Sequence, residues 1–517
     1  MHTTDSHRSW RATRPAAVLV AAVALLTAAP MAVADDAPVR HDADHVGAPT
    51  GLTDVEQALD RFVGDQLRST SIPGAALALT HDGQVVHVRG FGRDSDGTPV
   101  TADTLFRIAS LSKSFTSLAV MQLVEQGRVS LDDRITDLLP EFHPVDPRAT
   151  DITVAEVLNH TSGLADQAFN ELSGHQPRTL AEAVARLNGT HLVADPGTEW
   201  NYHNPNYEIA ARIVEVVSGQ DFNAYLRERV LTPAGMTSST SVNTDNGAVD
   251  GLVDGHIALF GRQMPVAAPD IFGAGAGEVV STAADMAKWL VIQTNDGRSA
   301  DGTQLVSTHS LTQMHTASTS TGYAYGWSVH RRSGEPTRID HSGNLVTFSA
   351  YQALLPDSGY GVVLLFNSAS VLGSDQSAIY HGVLDILSGS DMTPDGAQPT
   401  AATVDYVIGT LTIVVLVLGM RGVVNARSWS SRRATARRFG RTLTGLRLLP
   451  LLVVLGAAAM FPTLAEGVFG RAVTWTLAAY AWPAVLGLVL AAFASASVTL
   501  LVRIGVLLSR EQPTRVG

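Results

Sequence analysis

Three apolar stretches towards the C-terminal end, 404–420, 448–465 and 475–502, constrain this 517-residue chain more than any other feature. Each is nearly free of charge and about as long as a helix needs to be to cross a bilayer, roughly 20 residues. No complementary sequence remains to bury them as core helices, so they read as three transmembrane helices. The segment 421–447 between the first two holds eight Arg and no acidic residue. Charge of that kind stays on the cytoplasmic side, which places everything before 404 outside the cytoplasmic membrane. The link 466–474 then faces outward and the tail 503–517 inward.

The other end agrees with that orientation. Arg8, Arg11 and Arg14 precede an apolar run at 16–29, and Ala32, Val33 and Ala34 supply the small residues a signal peptidase cuts after. Residues 1–34 are therefore expected to be a signal peptide, 35–52 a flexible polar leader, 53–390 one folded domain, 391–403 a linker and 404–517 the membrane region. The two ends carry +2 (1–34) and +9 (401–517) of a total of −12, which leaves −23 for residues 35–400. A domain that acidic has no basic tract for nucleic acid, and nucleic acid is excluded as a partner. There is no Cys, so disulfides, thiolate metal sites, a cysteine nucleophile and a lipidated N-terminal Cys are excluded together.

Within 53–390 both periodicities occur. Residues 54–68 are amphipathic and predict a helix. Apolar runs at 75–80 and 85–90 flank His81-Asp82-Gly83-Gln84, a hairpin signal because Asp-Gly suits positive φ. Strands are predicted again at 325–330, 348–355 and 360–367, and a helix at 375–387. Helices and loops fill the middle. Strands from both ends of the domain should thus join in one antiparallel sheet with a helical block beside it.

Three short motifs carry chemistry. Ser110 and Lys113 open an apolar helix running to about Gln126 and lie one turn apart on one face. A serine hydroxyl is a weak nucleophile until a base takes its proton, and a lysine in an apolar pocket can do so. A helix start also aims N–H groups at developing negative charge. Next, Tyr202 and Asn204 follow a turn at Asp195-Pro196-Gly197, spaced so that phenol and amide point the same way. The phenol suits proton carriage and the amide suits holding an acyl-chain carbonyl or Lys113. Last, His341-Ser342-Gly343 precedes the strand at 348–355. There Gly343 lets a substrate approach a strand edge, and the N–H of Asn344 can complete an oxyanion hole with that of Ser110.

In this order, at separations of about 90 and 140 residues, Ser-x-x-Lys, Tyr-x-Asn and His-x-Gly resemble the serine beta-lactamase and penicillin-binding superfamily. The likeness is greatest to class C beta-lactamases, D-alanyl-D-alanine peptidases, D-aminopeptidases and related serine esterases. Leu158-Asn159-His160-Thr161-Ser162-Gly163-Leu164, the run 281–286, Tyr325-Gly326-Trp327 and the run 362–367 look like that family too. The resemblance covers about 55–388 and leaves out the membrane region.

It implies an α+β fold of the beta-lactamase/DD-peptidase kind, an antiparallel sheet flanked by helices plus a helical subdomain, here followed by three transmembrane helices. It also implies an acyl-enzyme mechanism: Ser110 as nucleophile, Lys113 and Tyr202 sharing the proton, Ser110 and Asn344 N–H groups holding the oxyanion, and Asn204, His341 and Ser342 positioning the substrate. One departure stands out. Many relatives have Lys-Thr-Gly at the third motif, whose cation holds a substrate carboxylate, whereas a histidine is mostly neutral near pH 7. His160 is read as structural. No cofactor is expected, and no metal, since no His/Asp/Glu cluster has ligand spacing in the sequence. The expected partners are a small peptide or ester substrate and the membrane. D-amino-acid peptides and short acyl esters are the favoured substrates, with a wall-fragment sensor, a transpeptidase and a true beta-lactamase as alternatives.

Overall fold

The computed structural model describes residues 51–318, 321–331, 337–369, 375–389, 401–428, 440–469 and 473–509. The expected signal peptide, nearly all of the leader, most of the linker and part of the arginine-rich segment lie outside the described residues. The chain divides into two compact units, one spanning Ala37–Ala401 and one containing Ala402–Gly517.

The main sheet of the first unit is made of β1 (Gly74–His81), β2 (Gln84–Gly92), β8 (Ser328–His330), β9 (Arg338–Asn344), β10 (Ser349–Leu355) and β11 (Tyr360–Phe366). These six strands are antiparallel, in the order β2-β1-β11-β10-β9-β8. Strands from the two ends of the domain meet where β1 pairs with β11, Ala75 opposite Phe366 and His81 opposite Tyr360. β1 reads as a continuous apolar run because both of its faces are covered. Ala75, Leu77 and Leu79 share a core with Leu59 and Val63 of α1 (Leu52–Thr70) and with Ile379 and Val383 of α5 (Asp375–Ser388). The alternate residues Ala76 and Ala78 belong to the larger core that contains Trp289 and Leu290 of α4 (Ala283–Thr294). Small side chains on that face let a large indole come close to the sheet.

The helical block is inserted between β2 and β8. Its centre is α2 (Ser112–Glu125), buried on nearly every face, with Phe115 stacked on Trp289 at 3.8 Å between centroids. Beside it lies α3 (Pro205–Ser218), with proline at its first helical position, where no N–H is needed. Two small sheets complete the unit. In one, β7 (Val279–Ser281) lies between β3 (Phe106–Arg107) and β4 (Thr240–Ser241); in the other, β5 (Gly255–Leu259) lies between β6 (Arg262–Val266) and β12 (Ser368–Ala369).

The sequence pattern predicts no strand at 338–344, yet β9 pairs there with β10, His341 opposite Gln352 and Gly343 opposite Ala350. Its residues, Arg-Ile-Asp-His-Ser-Gly-Asn, are too polar to signal a strand, because the polar side chains are satisfied by tertiary partners. Asp340, for example, accepts from His330 Nε2 at 3.0 Å and from Tyr380 Oη at 2.8 Å.

The second unit is helical. Among the described residues two helices are long and apolar enough to cross a membrane, Ala402–Val424 and Pro483–Ser509, and a third crossing would be made by Leu448–Ala459 with Phe461–Val468, bent by 68° between them. The apolar stretch expected as one helix over 475–502 is split into Trp475–Ala481 and Pro483–Ser509, because Pro483 has no N–H and begins a helix instead of continuing one. The first and last helices touch closely. A Cβ on Gly419 would lie 2.6 Å from the Ser495 side chain, and Thr499 Oγ1 donates to the Gly419 carbonyl at 3.3 Å.

Candidate active site

Ser110 sits in a single 3-10 turn, Ala109–Leu111, immediately before α2, so it precedes the helix proper. Two contacts fix this turn to β7: the Ile108 N–H donates to the Val279 carbonyl at 3.0 Å, and the Val279 N–H donates to Ser112 Oγ at 3.0 Å. Ala109 has φ +51°, a left-handed conformation costly for a residue with a Cβ. The turn is also pressed from the sheet side. A Cβ on Gly343 would lie 2.6 Å from the Ile108 carbonyl oxygen and 2.9 Å from the Ser110 nitrogen. Spacing alone suggests that Gly343 admits substrate; the geometry shows that its missing side chain brings β9 against the Ser110 turn.

Lys113 is fully buried on the first turn of α2. Its Nζ donates to Ser110 Oγ at 3.1 Å, to Asn204 Oδ1 at 2.9 Å and to the Ala276 carbonyl at 2.8 Å. Three acceptors from three separate segments match the three protons an ammonium carries. The Tyr202 hydroxyl donates to Ser110 Oγ at 2.9 Å, and the Lys113 Nζ lies 4.9 Å from the centroid of the Tyr202 ring. Ser110, Lys113, Tyr202 and Asn204, spread over 95 positions of sequence, thus share one hydrogen-bonded cluster.

Tyr202 is held by aromatic neighbours. The His160 ring lies 4.5 Å from it, and His160 Nδ1 accepts from the His203 N–H at 3.3 Å and from Asn206 Nδ2 at 3.1 Å. With Nδ1 spent on these donors, His160 braces the tyrosine. The neighbouring His203 Nδ1 pairs with Asp166 at 2.8 Å. Asp166, Glu171 and His203 bring potential ligand atoms within 4.8 Å of one another, a cluster that sequence spacing does not reveal because the fold assembles it from distant positions. Asp166 accepts from His203, and Glu171 Oε1 accepts from Asn204 Nδ2 at 2.7 Å.

On the sheet side, alternation along β9 buries His341 and Gly343 and exposes Ser342 and Asn344. His341 Nδ1 lies 2.7 Å from the Ser342 carbonyl and must carry the proton; Nε2, 2.9 Å from the Tyr323 hydroxyl, then accepts. Burial and the nearby Lys113 push His341 down to about 4, so the ring is neutral. Both nitrogens are therefore consumed within the protein, and of this motif it is the Ser342 hydroxyl that stands exposed. β8 pairs only with Arg338–Asp340, so among the described residues 341–344 keep a backbone edge open beside Ser110.

Behind Lys113 lie carboxyls that the sequence does not reveal. Burial pushes Glu208 up to about 8 and raises Glu278 and Asp245; Asp245 raises Glu278 further, whereas the hydrogen bond to Glu278 lowers Asp245, and Arg107, its Nη1 3.6 Å from Glu278, lowers both. None of the three falls in a periodic or motif pattern. The Gly-Ala-Gly-Ala-Gly run at 273–277, which supplies the Ala276 carbonyl, is the one local signal of this region.

A family model described as Beta-lactamase matches residues 59–384. The chain belongs to the beta-lactamase family. Members of this fold family are generally serine hydrolases. A relative, penicillin-binding protein 4 of Amycolatopsis lactamdurans, is 31% identical over 357 residues, 66% of this chain and 92% of that protein. Protein flp of Staphylococcus aureus (strain N315) is 27% identical over 62% of this chain, which spans 64% of that protein's length. Among solved structures, an octameric penicillin-binding protein homologue from Pyrococcus abyssi superposes with TM-score 0.56 at 25% identity, covering 68% of this chain and 81% of the other. The beta-lactamase/DD-peptidase fold expected from the motifs is thereby established, and the apolar helices after it are consistent with membrane association.

Proposed function

We propose that this beta-lactamase family member is a membrane-anchored, extracytoplasmic serine hydrolase that cleaves amide or ester bonds through an acyl-enzyme. The observation that carries the reading is the convergence of Lys113 Nζ and Tyr202 Oη on Ser110 Oγ, at 3.1 and 2.9 Å. In the proposed sequence the Tyr202–Lys113 pair enters having released one proton, so that it can take up the Ser110 proton as the Ser110 oxygen attacks the substrate carbonyl. That pair gives the proton to the leaving group; Tyr202 then takes a proton from the water that attacks the acyl-enzyme ester and passes it to Ser110 Oγ as the acyl group departs. The N–H groups of Ser110 and Asn344 are assigned to the oxyanion, and Asn204 with Ser342 to the substrate. The open edge of β9 suits an extended peptide, which can add to it as a strand. Orientation in the membrane rests on the eight Arg of 421–447.

D-amino-acid peptides and short acyl esters are the favoured substrates. The Amycolatopsis relative is named for penicillin, which makes a beta-lactam a necessary comparison. His341, neutral and fully engaged, offers a substrate carboxylate no cation, so acyl donors without one beside the scissile bond should be preferred. Intact mass after incubation with an activated ester, a D-Ala-D-Ala peptide and penicillin tests this, with an amine acceptor added to reveal transfer. An adduct on Ser110 that turns over is expected. No adduct with any of the three would sink the reading in favour of a binding domain.

A further inference from the structure

We propose that Glu171 is a positioning residue that sets the Asn204 amide so that its oxygen, and not its nitrogen, meets Lys113. The inference rests on the reading of Ser110, Lys113 and Tyr202 above. A half-turn of an asparagine side chain exchanges a donor for an acceptor of almost the same shape, and Lys113 Nζ needs the acceptor. Something must choose between the two. In this structure the choice is made on the far side of the amide, where Asn204 Nδ2 donates to Glu171 Oε1 at 2.7 Å while Oδ1 accepts from Lys113 at 2.9 Å. An ionised carboxylate only accepts, so the reversed amide would set oxygen against oxygen on one side and nitrogen against nitrogen on the other.

Glu171 lies in a stretch without helix or strand, yet its position is fixed through its own backbone. Arg186 Nη2 donates to the Glu171 carbonyl at 3.1 Å and to that of Ser173 at 2.8 Å, and Gln176 Nε2 donates to the Glu171 carbonyl at 3.2 Å. Gln176 is tied in turn to the Phe272 N–H at 3.1 Å. Earlier in the same stretch, Asp166 is bound to His203, the residue before Asn204, and Phe169 lies 5.3 Å beneath the Arg186 guanidinium. The stretch is thus tied to the segment entering α3 at two points, through Asp166 and through Glu171. A line of contacts runs Glu171–Asn204–Lys113–Ser110, and its first member decides the polarity of the rest.

The test uses the full-length protein in detergent and reads the rate of covalent labelling by a fluorophosphonate, which reports on the serine whatever the natural substrate is. Glu171→Leu should slow labelling about 10- to 100-fold, as loss of a residue orienting a site ligand commonly does. Glu171→Gln, whose amide oxygen can still accept, should stay within about five-fold of wild type. Asn204→Asp confronts Glu171 with a second carboxylate and should be slow. Combining it with Glu171→Gln should restore at least about ten-fold, because the glutamine then donates to one Asp oxygen and leaves the other for Lys113. A residue needed only for folding gives no such reciprocal rescue. Labelling of Glu171→Leu at the wild-type rate, or a double variant no faster than Asn204→Asp, overturns the positioning role. If Glu171→Leu does not fold, the Asp/Gln pair decides alone. A wild type that is never labelled would instead bring down the active-site reading itself.

Discussion

The two walls of the site are built on opposite plans. On the helical wall the polar groups reach towards Ser110: Lys113 and Tyr202 both touch its oxygen, and Asn204 and Ala276 hold Lys113 in place. On the sheet wall the buried polar groups are closed on one another, His341 being shared between Tyr323 and the Ser342 carbonyl, while Ser342 and Asn344 are exposed. Damage to the first wall should therefore cost chemistry, and damage to the buried groups of the second should cost stability. The contrast extends to charge. The helical wall buries carboxyls that favour their protonated form, whereas the sheet wall buries a histidine that favours its neutral form.

The largest expected effect tests the helical wall at its centre. Ser110→Ala should abolish fluorophosphonate labelling while leaving the melting temperature near that of wild type, since the hydroxyl is one acceptor among three for Lys113. Undiminished labelling of the folded variant would remove Ser110 from the mechanism. Next in size, Lys113→Ala and Tyr202→Phe should each lower the acylation rate roughly 10²- to 10⁴-fold, the usual contribution of a positioned proton carrier. A stopped-flow burst with a p-nitrophenyl ester measures it, and a near-normal burst in either variant would reassign the proton.

A third test sets the walls against each other with pH. Glu208 has a folded pKa of about 8, above its unfolded value, so its contribution to stability is full below about 4.5 and is lost as pH rises through 8. His341 has a folded value of about 4, below the unfolded value near 6.5, so its contribution is present above 6.5 and lost as pH falls towards 4. Glu208→Gln should flatten the alkaline side of the stability profile, by up to about 4 kcal/mol between pH 5 and 8 at 1.36 kcal/mol per unit. His341→Asn should flatten the acid side. Profiles from denaturant titrations that change on the opposite sides would refute the division.

The walls also differ in how far they can be read from sequence. Ser110–Lys113 is legible because a helix turn brings the two together locally, and the strands β1, β2, β10 and β11 are legible because their apolar runs are bounded by turn residues. The strand β9 is not, since its polar residues are satisfied by Tyr323, His330 and Tyr380 from elsewhere in the chain. Glu171, Glu208 and Ala276 are invisible for the same reason: each gains its meaning from a partner dozens of residues away. The family resemblance assigns Ser342 and His341 alike to substrate, and strand alternation separates them, exposing one and burying the other. In the C-terminal helical unit hydropathy finds the apolar stretches, but the break before Pro483 depends on a single missing N–H that a hydropathy average passes over.

The smallest effect on catalysis should come from Tyr323→Phe, and it separates the walls most sharply. Tyr323 is buried, and its hydroxyl lies 2.9 Å from His341 Nε2. Its ring is 6.2 Å from that of Tyr202 and 6.0 Å from that of Trp200, so the phenylalanine keeps the packing that lines this side of the site. What disappears is the hydroxyl that donates to His341 and pairs with Tyr207, which leaves the Nε2 acceptor buried without its donor. Stranding a buried acceptor costs about 1–3 kcal/mol, and protonating the ring to regain a partner's charge is opposed by burial and by Lys113. The variant should therefore unfold at lower denaturant while its burst rate with a p-nitrophenyl ester stays within about ten-fold of wild type. A loss of burst rate as large as that of Tyr202→Phe, with stability unchanged, would mean that Tyr323 and His341 take part in proton transfer, and the two walls would have to be redrawn as one.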